Sequence, residues 1–168
     1  TKNGLIEFLL ELEKIGGGFE IKNKGIRFYY KGPLRGVKIA TAPYPGFMTD
    51  WQGPWAVLMT QANGESVIHE TVYENRLTYA RQLEQMGAKL SLFNPRVGNP
   101  NTFYNFNTND DNNFYHAIKI IGPTKLHNAV LTVQDLRAGA TLVLGALSAK
   151  GESVIFGVEH LDRGYEQL

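Results

Sequence analysis

The chain has 168 residues, 43% of them hydrophobic and 20% charged, with a formal net charge of +1. That length suits one domain with a sizeable core, and the near-neutral balance gives no reason to expect nucleic acid or an anionic membrane as partner. Cysteine is absent, which excludes disulfides and thiolate nucleophiles. No apolar run reaches the ~20 residues of a membrane span and no signal-peptide pattern opens the chain, so a cytoplasmic location is expected.

In chain order, Leu5, Phe8, Leu9, Leu12 and Ile15 fall at helical spacing, predicting an amphipathic helix over 5–15. Gly16-Gly17-Gly18 ends it, since glycine tolerates the positive φ of a helix C-terminus. Short strands follow at 19–21 and 26–30 around the turn Asn23-Lys24-Gly25, with another at 37–40. Then comes Thr41-Ala42-Pro43-Tyr44-Pro45-Gly46-Phe47-Met48-Thr49-Asp50, whose prolines and glycine fix a rigid approach to an apolar helical run over 51–62. An aspartate at that place is an ordinary N-cap, accepting from unpaired helical N–H groups.

An internal repeat organises the rest. Gly64-Glu65-Ser66-Val67-Ile68 recurs identically as Gly151-Glu152-Ser153-Val154-Ile155. Extending both copies sets Asp50 opposite Asp135, each heading an apolar helix, and Arg76 opposite Arg163. Leu12-Glu13-Lys14-Ile15-Gly16 likewise matches Leu83-Glu84-Gln85-Met86-Gly87 in type. Such a repeat is one supersecondary unit used several times, each copy burying its face on its neighbours. The unit reads strand, apolar helix, strand, amphipathic helix, strands, and the chain is expected to hold about two full units plus the end of a preceding one. A helix over 77–86 carries Arg81, Gln82, Glu84 and Gln85 and must be wet on one face. Those over 55–62 and 138–149 are apolar nearly all round and are expected to be buried on every side.

Residues 94–115 are rich in Asn, Pro, Gly and Asp, which reads as a long loop inserted between strands. Its aromatics, Phe103, Tyr104, Phe106 and Phe114, are expected to pack locally; a lid or a contact with another domain or subunit are the functional alternatives. His69, His116, His127 and His160 lack metal-ligand spacing and are read as structural. No metal or cofactor is expected.

The segment 41–50, with Glu74-Asn75-Arg76, Asp135-Leu136-Arg137-Ala138 and Asp162-Arg163-Gly164-Tyr165-Glu166 in that order, resembles the enolpyruvyl transferase family. The likeness is greater to its UDP-N-acetylglucosamine 1-carboxyvinyltransferase branch, which opens peptidoglycan synthesis, than to its shikimate-pathway branch. It covers nearly all of the chain and only the C-terminal portion of the family's sequence. It implies an α/β fold, an inside-out barrel of repeated β-α-β-α-β-β units with helices inside and sheets outside, and one domain, 1–168, of a two-domain enzyme. The implied substrates are phosphoenolpyruvate and UDP-N-acetylglucosamine, and the implied partner is an absent N-terminal domain that carries the proton donor. By the same resemblance Asp50 is general base and sugar ligand, Arg76, Arg137 and Arg163 hold the anionic groups, Arg163 sits on the phosphoenolpyruvate phosphate, and Val72 meets the nucleotide-sugar through its backbone. Asp135 is read as an N-cap that orients an arginine. A non-catalytic binding module on the same fold stands as the alternative of another class.

Overall fold

The computed structural model describes residues 2–108 and 113–165. A short 3-10 turn leads into α1 (Ile6–Lys14), which the left-handed Gly16 terminates at φ +93. The hairpin β1 (Gly18–Lys22) and β2 (Gly25–Tyr29) follows, antiparallel with Gly18 opposite Tyr29. Next come β3 (Lys38–Ala40), a 3-10 turn at Thr49–Trp51, α2 (Gln52–Thr60), β4 (Gly64–His69), α3 (Ala80–Gln85) and β5 (Lys89–Phe93). A one-turn helix α4 (Pro100–Phe103), β6 (Ala117–Gly122), β7 (Val130–Thr132), α5 (Leu136–Ser148), β8 (Val154–Phe156) and a 3-10 turn at Val158–His160 complete the described chain.

The two kinds of strand pairing in this order define the repeat. β3 runs parallel to β4 with α2 as the crossover, and β7 runs parallel to β8 with α5 as the crossover. β6 lies antiparallel between β4 and β5, giving a four-stranded sheet in the order β3-β4-β6-β5. The match between units extends to single hydrogen bonds. Ser66 Oγ accepts from Val37 N at 3.3 Å, and Ser153 Oγ accepts from Ala129 N at 3.2 Å. Thr41 N donates to His69 O, and Val133 N to Phe156 O, each at 2.8 Å. Gly64, at the start of β4, and Gly151, three residues before β8, have φ +96 and +97, a conformation open to glycine and strained for a side chain. Arg35 N donates to Ile15 O and His127 N to Met86 O, both at 2.9 Å, so the ends of α1 and α3 also correspond.

Among the described residues one complete unit is present, from β3 to β6; a 3-10 turn, α1, β1 and β2 precede it, and β7, α5, β8 and a 3-10 turn follow it, so the expectation of two full units is corrected. The helix expected over 77–86 is confined to α3, because Leu77 and Tyr79 are buried as a turn before it.

α2 packs on α5 and against the sheet, and Trp55, Ala56 and Met59 are at most 1% exposed. Phe8 of α1 and Phe47 of the proline-rich stretch close over Trp51 and Trp55, with Phe47 ring centroids 5.3 and 5.2 Å from the two indoles. This cluster of edge-on rings fixes the path of the chain just ahead of Asp50. The expectation that α5 is buried on every side fails. Leu142 is fully buried, but Leu144 is 40% and Leu147 78% exposed. The side chains are apolar as read; among the described residues nothing covers that face.

Candidate functional site

Both apolar helices start at the same cavity, and they start differently. At α5 the cap is a side chain: Asp135 Oδ1 accepts from Arg137 N at 3.0 Å and from Ala138 N at 2.9 Å. Its second oxygen accepts from Thr78 Oγ1 at 3.2 Å, so this carboxylate is committed to the backbone turn, as the N-cap reading expects. At α2 no side chain caps the helix. Asp50 lies in the 3-10 turn ahead of it, and its carboxylate accepts instead from Arg137 Nε in a short, charge-assisted hydrogen bond across 87 residues of sequence. That contact raises the Arg137 pKa above its ordinary value, with the hydrogen bond to Asp50 as the largest cause.

Asp50 and Arg137 stand on the rim of a cavity of about 270 Å³ whose lining includes Gln52, Asn75, Arg76 and Tyr79. Arg76 is half-buried, with Cζ 4.0 Å above the Tyr73 ring, a cation–π seat that holds the guanidinium flat. Its buried Nε has no hydrogen-bond partner among the described residues, and neither does Gln52 Nε2. Gln52 Oε1 accepts from the hydroxyl of Tyr79 at 2.9 Å, deep in the core. Burial, reinforced by the negative charge of Glu70, raises the Tyr79 pKa, so this hydroxyl stays a donor. The cavity therefore offers the carboxylate of Asp50 beside that of the capping Asp135, two guanidiniums and the buried amide of Gln52.

Of the five residues singled out in the sequence, three, Asp50, Arg76 and Arg137, meet here. Arg163 does not line the cavity. It is exposed, in the turn after β8, and that turn packs on the first residue of α5: a Cβ on Gly164 would lie 2.7 Å from Leu136 Cδ2. Glu166 of the same motif lies outside the described residues. Val72 is also outside the lining; its N–H donates to Glu70 Oε1 at 2.8 Å.

Glu70 is the residue that sequence reasoning missed. It is 1% exposed and accepts from Thr41 Oγ1, Thr49 Oγ1, Val72 N and Tyr73 N at 2.8–3.1 Å. No spacing rule signals it, because its donors converge from three separate stretches.

The loop at 94–115 joins β5 to β6, and its residues 109–112 lie outside the described part. Of its aromatics, Phe103, Tyr104 and Phe106 pack locally, as expected, and lie against two histidines, whereas Phe114 is exposed. His69 stacks on Phe103 at 5.1 Å and its Nε2 lies 3.0 Å from the Tyr104 hydroxyl. His116 lies against Tyr104 and Phe106 at 5.2 and 4.8 Å. Burial lowers the pKa of both, and His116 lowers His69 further. Asn105 N donates to Thr71 O at 2.8 Å, tying the loop to the segment that carries Val72. Among the described residues no cluster of histidine and carboxylate side chains could hold a metal, and no helix is long and apolar enough to cross a membrane.

The EPSP synthase (3-phosphoshikimate 1-carboxyvinyltransferase) family model matches residues 1–168, and the chain belongs to that family. It is 42% identical over 165 residues to UDP-N-acetylglucosamine 1-carboxyvinyltransferase from Protochlamydia amoebophila, which covers 98% of this chain and 34% of that protein. It is 47% identical over 163 residues to the enzyme of the same name from Chlamydia muridarum, covering 96% of this chain and 36% of that protein. Among solved structures, the enolpyruvyl transferase NikO from Streptomyces tendae superposes with a TM-score of 0.77 at 27% identity, over 96% of this chain and 33% of NikO. The chain thus spans little more than a third of the length of the curated relatives it matches.

Proposed function

We propose that this chain is one domain, 1–168, of a two-domain enzyme that moves enolpyruvate from phosphoenolpyruvate to the 3-hydroxyl of UDP-N-acetylglucosamine, releasing phosphate. The observation that carries this reading is the meeting of Asp50, Arg76 and Arg137 at one cavity from three motifs far apart in sequence. The names of the relatives supply the nucleotide-sugar, and the chemistry requires an enol ester of phosphate as donor. In the fold we infer, β-α-β-α-β-β units close into an inside-out barrel, and polypeptide beyond this chain covers Leu144 and Leu147 of α5. The enzyme acts in the cytoplasm, where nucleotide-sugars are made, in the committed step of peptidoglycan synthesis.

The residue roles are those that the family resemblance implies, and the shared cavity supports them at Asp50, Arg76 and Arg137. Asp50 takes the proton of the sugar hydroxyl as its oxygen bonds to C2 of phosphoenolpyruvate, while C3 gains a proton from a donor outside this chain. Loss of that proton equivalent from C3 and of phosphate from C2 leaves the enolpyruvyl ether, so atoms balance. A general base earns its effect by being held within hydrogen-bond reach of the proton it removes, and Arg137 holds Asp50 in place through the ion pair. Arg76 and Arg137 clamp carboxylate or phosphate with planar, bidentate donors. Arg163 reaches the phosphate of phosphoenolpyruvate from the turn beside Leu136, and Val72 meets the nucleotide-sugar through its backbone.

The test is phosphate release by the full-length polypeptide from phosphoenolpyruvate with UDP-N-acetylglucosamine, run beside phosphoenolpyruvate with 3-phosphoshikimate. Turnover with the nucleotide-sugar alone is expected. Turnover only with 3-phosphoshikimate would move the assignment to the sibling reaction, and none with either would return the chain to a binding role. The 168-residue chain by itself is expected to be inactive, since half a cleft cannot exclude water or complete the site.

A further inference from the structure

The two units of the repeat build the same parallel β-α-β backbone, but only one carries Glu70. Its counterpart in the second unit is Gly157, and the counterpart of Thr41 is Val133, as the matched bonds Thr41 N to His69 O and Val133 N to Phe156 O establish. The second unit has no room for a carboxylate there: a Cβ on Gly157 would lie 2.4 Å from Val133 O. The fold can therefore be made without this glutamate. Something other than the β-α-β architecture must account for a buried carboxylate in the first unit, since burying a charge is costly unless hydrogen bonds replace its water.

What those bonds connect is specific. Glu70 Oε2 accepts from Thr49 Oγ1 at 2.8 Å, and Thr49 directly precedes Asp50 in the uncapped 3-10 turn. Oε1 accepts from Val72 N at 2.8 Å and Tyr73 N at 3.1 Å, and the Tyr73 ring is the seat of Arg76. Oε1 also accepts from Thr41 Oγ1 at 2.9 Å, which in turn accepts from Thr71 N at 2.8 Å. Among the described residues Glu70 forms no ion pair with a lysine, arginine or histidine, so its carboxylate is held by hydroxyl and amide donors alone. Charge-assisted bonds of this kind are short and directional. They lock together the turn that presents Asp50, the backbone at Val72, and the ring under Arg76.

We propose that Glu70 is the positioning residue of this site: it sets Asp50, Val72 and Arg76 relative to one another and touches no substrate itself. The proposal rests on the enolpyruvyl-transfer reading above. In that role Glu70 substitutes for the cap that α2 lacks. Asp135 orders the start of α5 directly, whereas Glu70 orders the start of α2 through Thr49, so the Asp50 carboxylate is not spent on capping and pairs with Arg137 at the cavity.

The test uses the full-length polypeptide and follows kcat, KM for each substrate and the thermal midpoint. The variants are Glu70→Ala, Glu70→Gln, Thr49→Val and the double Glu70→Ala/Thr49→Val, with Thr60→Val as a control for loss of a buried hydroxyl away from the site. Misplacing a reacting group by about an ångström costs about 10²-fold, and Glu70→Ala is expected to lower kcat by that order. Glu70→Gln, which keeps an acceptor for the amides, should recover part of the loss. Thr49→Val should lower kcat by less and add nothing in the double variant, because both changes cut the same link. Near-normal kcat in the Glu70 variants, or losses that multiply independently in the double, would overturn the proposal. So would a fall in thermal midpoint with kcat unchanged, as expected of Thr60→Val. If Glu70→Ala does not fold, Glu70→Gln and Thr49→Val decide by the same criterion. An inactive unmodified polypeptide refutes the functional reading itself, an outcome distinct from active Glu70 variants of an active enzyme.

Discussion

The unit built on α2 and the one built on α5 share strand register, a serine bond, a left-handed glycine and an apolar helix, yet their aspartates do different work. Asp135 gives one oxygen to the backbone at the start of α5 and the other to Thr78 Oγ1. Asp50 gives none to α2 and reaches across to Arg137. The arginines diverge in the same way, with Arg76 half-buried over Tyr73 at the cavity and Arg163 exposed outside it. Duplication fixed a backbone that serves stability in every copy. On the proposed reading, departures from the repeat such as Glu70 for Gly157 are where that backbone serves chemistry.

The sharpest way to break this comparison is at Asp50. In the full-length polypeptide Asp50→Asn should lower kcat by roughly two to four orders of magnitude, the usual worth of a positioned acid–base group. The thermal midpoint should barely move, since no helical N–H depends on that carboxylate. Steady-state kinetics beside a melting curve decides, and a near-normal kcat would reduce Asp50 to an anchor for Arg137.

Much of this was legible beforehand, for identifiable reasons. The identical runs at Gly64 and Gly151 announced the repeat because the turn needs glycine and the strand needs its serine. The order of the four motifs announced the family. The exposure of Leu144 and Leu147 was not legible, because hydrophobicity says what a helix can bury and not what is there to cover it. The pairing of Asp50 with Arg137 in place of a cap was not legible either: an aspartate before an apolar run looks the same whether or not its side chain caps. Glu70 left no trace, since its partners are assembled only by the crossover from β3 to β4.

The second prediction concerns stability and reverses the order of the two aspartates. Asp135→Ala removes a cap with two backbone donors and should cost about 0.5–2 kcal/mol. Asp50→Ala, at a half-exposed position with no cap bond, should stay within about 0.5 kcal/mol. Denaturant unfolding of the full-length variants measures both, and equal costs would erase the distinction between capping and free aspartate.

The serines probe the part that the units share. Ser66 is fully buried and Ser153 partly exposed, and each accepts one backbone N–H. Ser66→Ala strands Val37 N away from water and should cost about 1–2 kcal/mol, whereas water can replace the bond lost in Ser153→Ala, which should cost under about 1 kcal/mol. Equal values from denaturant unfolding would mean that burial does not set the difference.

The smallest effect lies where the first unit carries His69 and the second carries Phe156 at the matching position, paired to Ala40 and Thr132 in the same register. Burial lowers the pKa of His69 and His116, so in the native state both bind protons less readily than in the unfolded chain, where the reference is about 6.5. The unfolded state then binds more protons between the depressed native values and about 6.5, and stability rises with pH across that window. The contribution is complete above about pH 6.5 and is lost as pH falls through the native values. Amide exchange along β4 and β6 should therefore accelerate, after correction for intrinsic rates, as pH falls from neutral toward 5, and exchange along β7 and β8 should not. In a His69→Phe variant, which copies the second unit's residue into the first, this difference between the units should shrink. If β7 and β8 loosen equally, the acid response belongs to the whole fold and the histidine-bearing loop has no part in it.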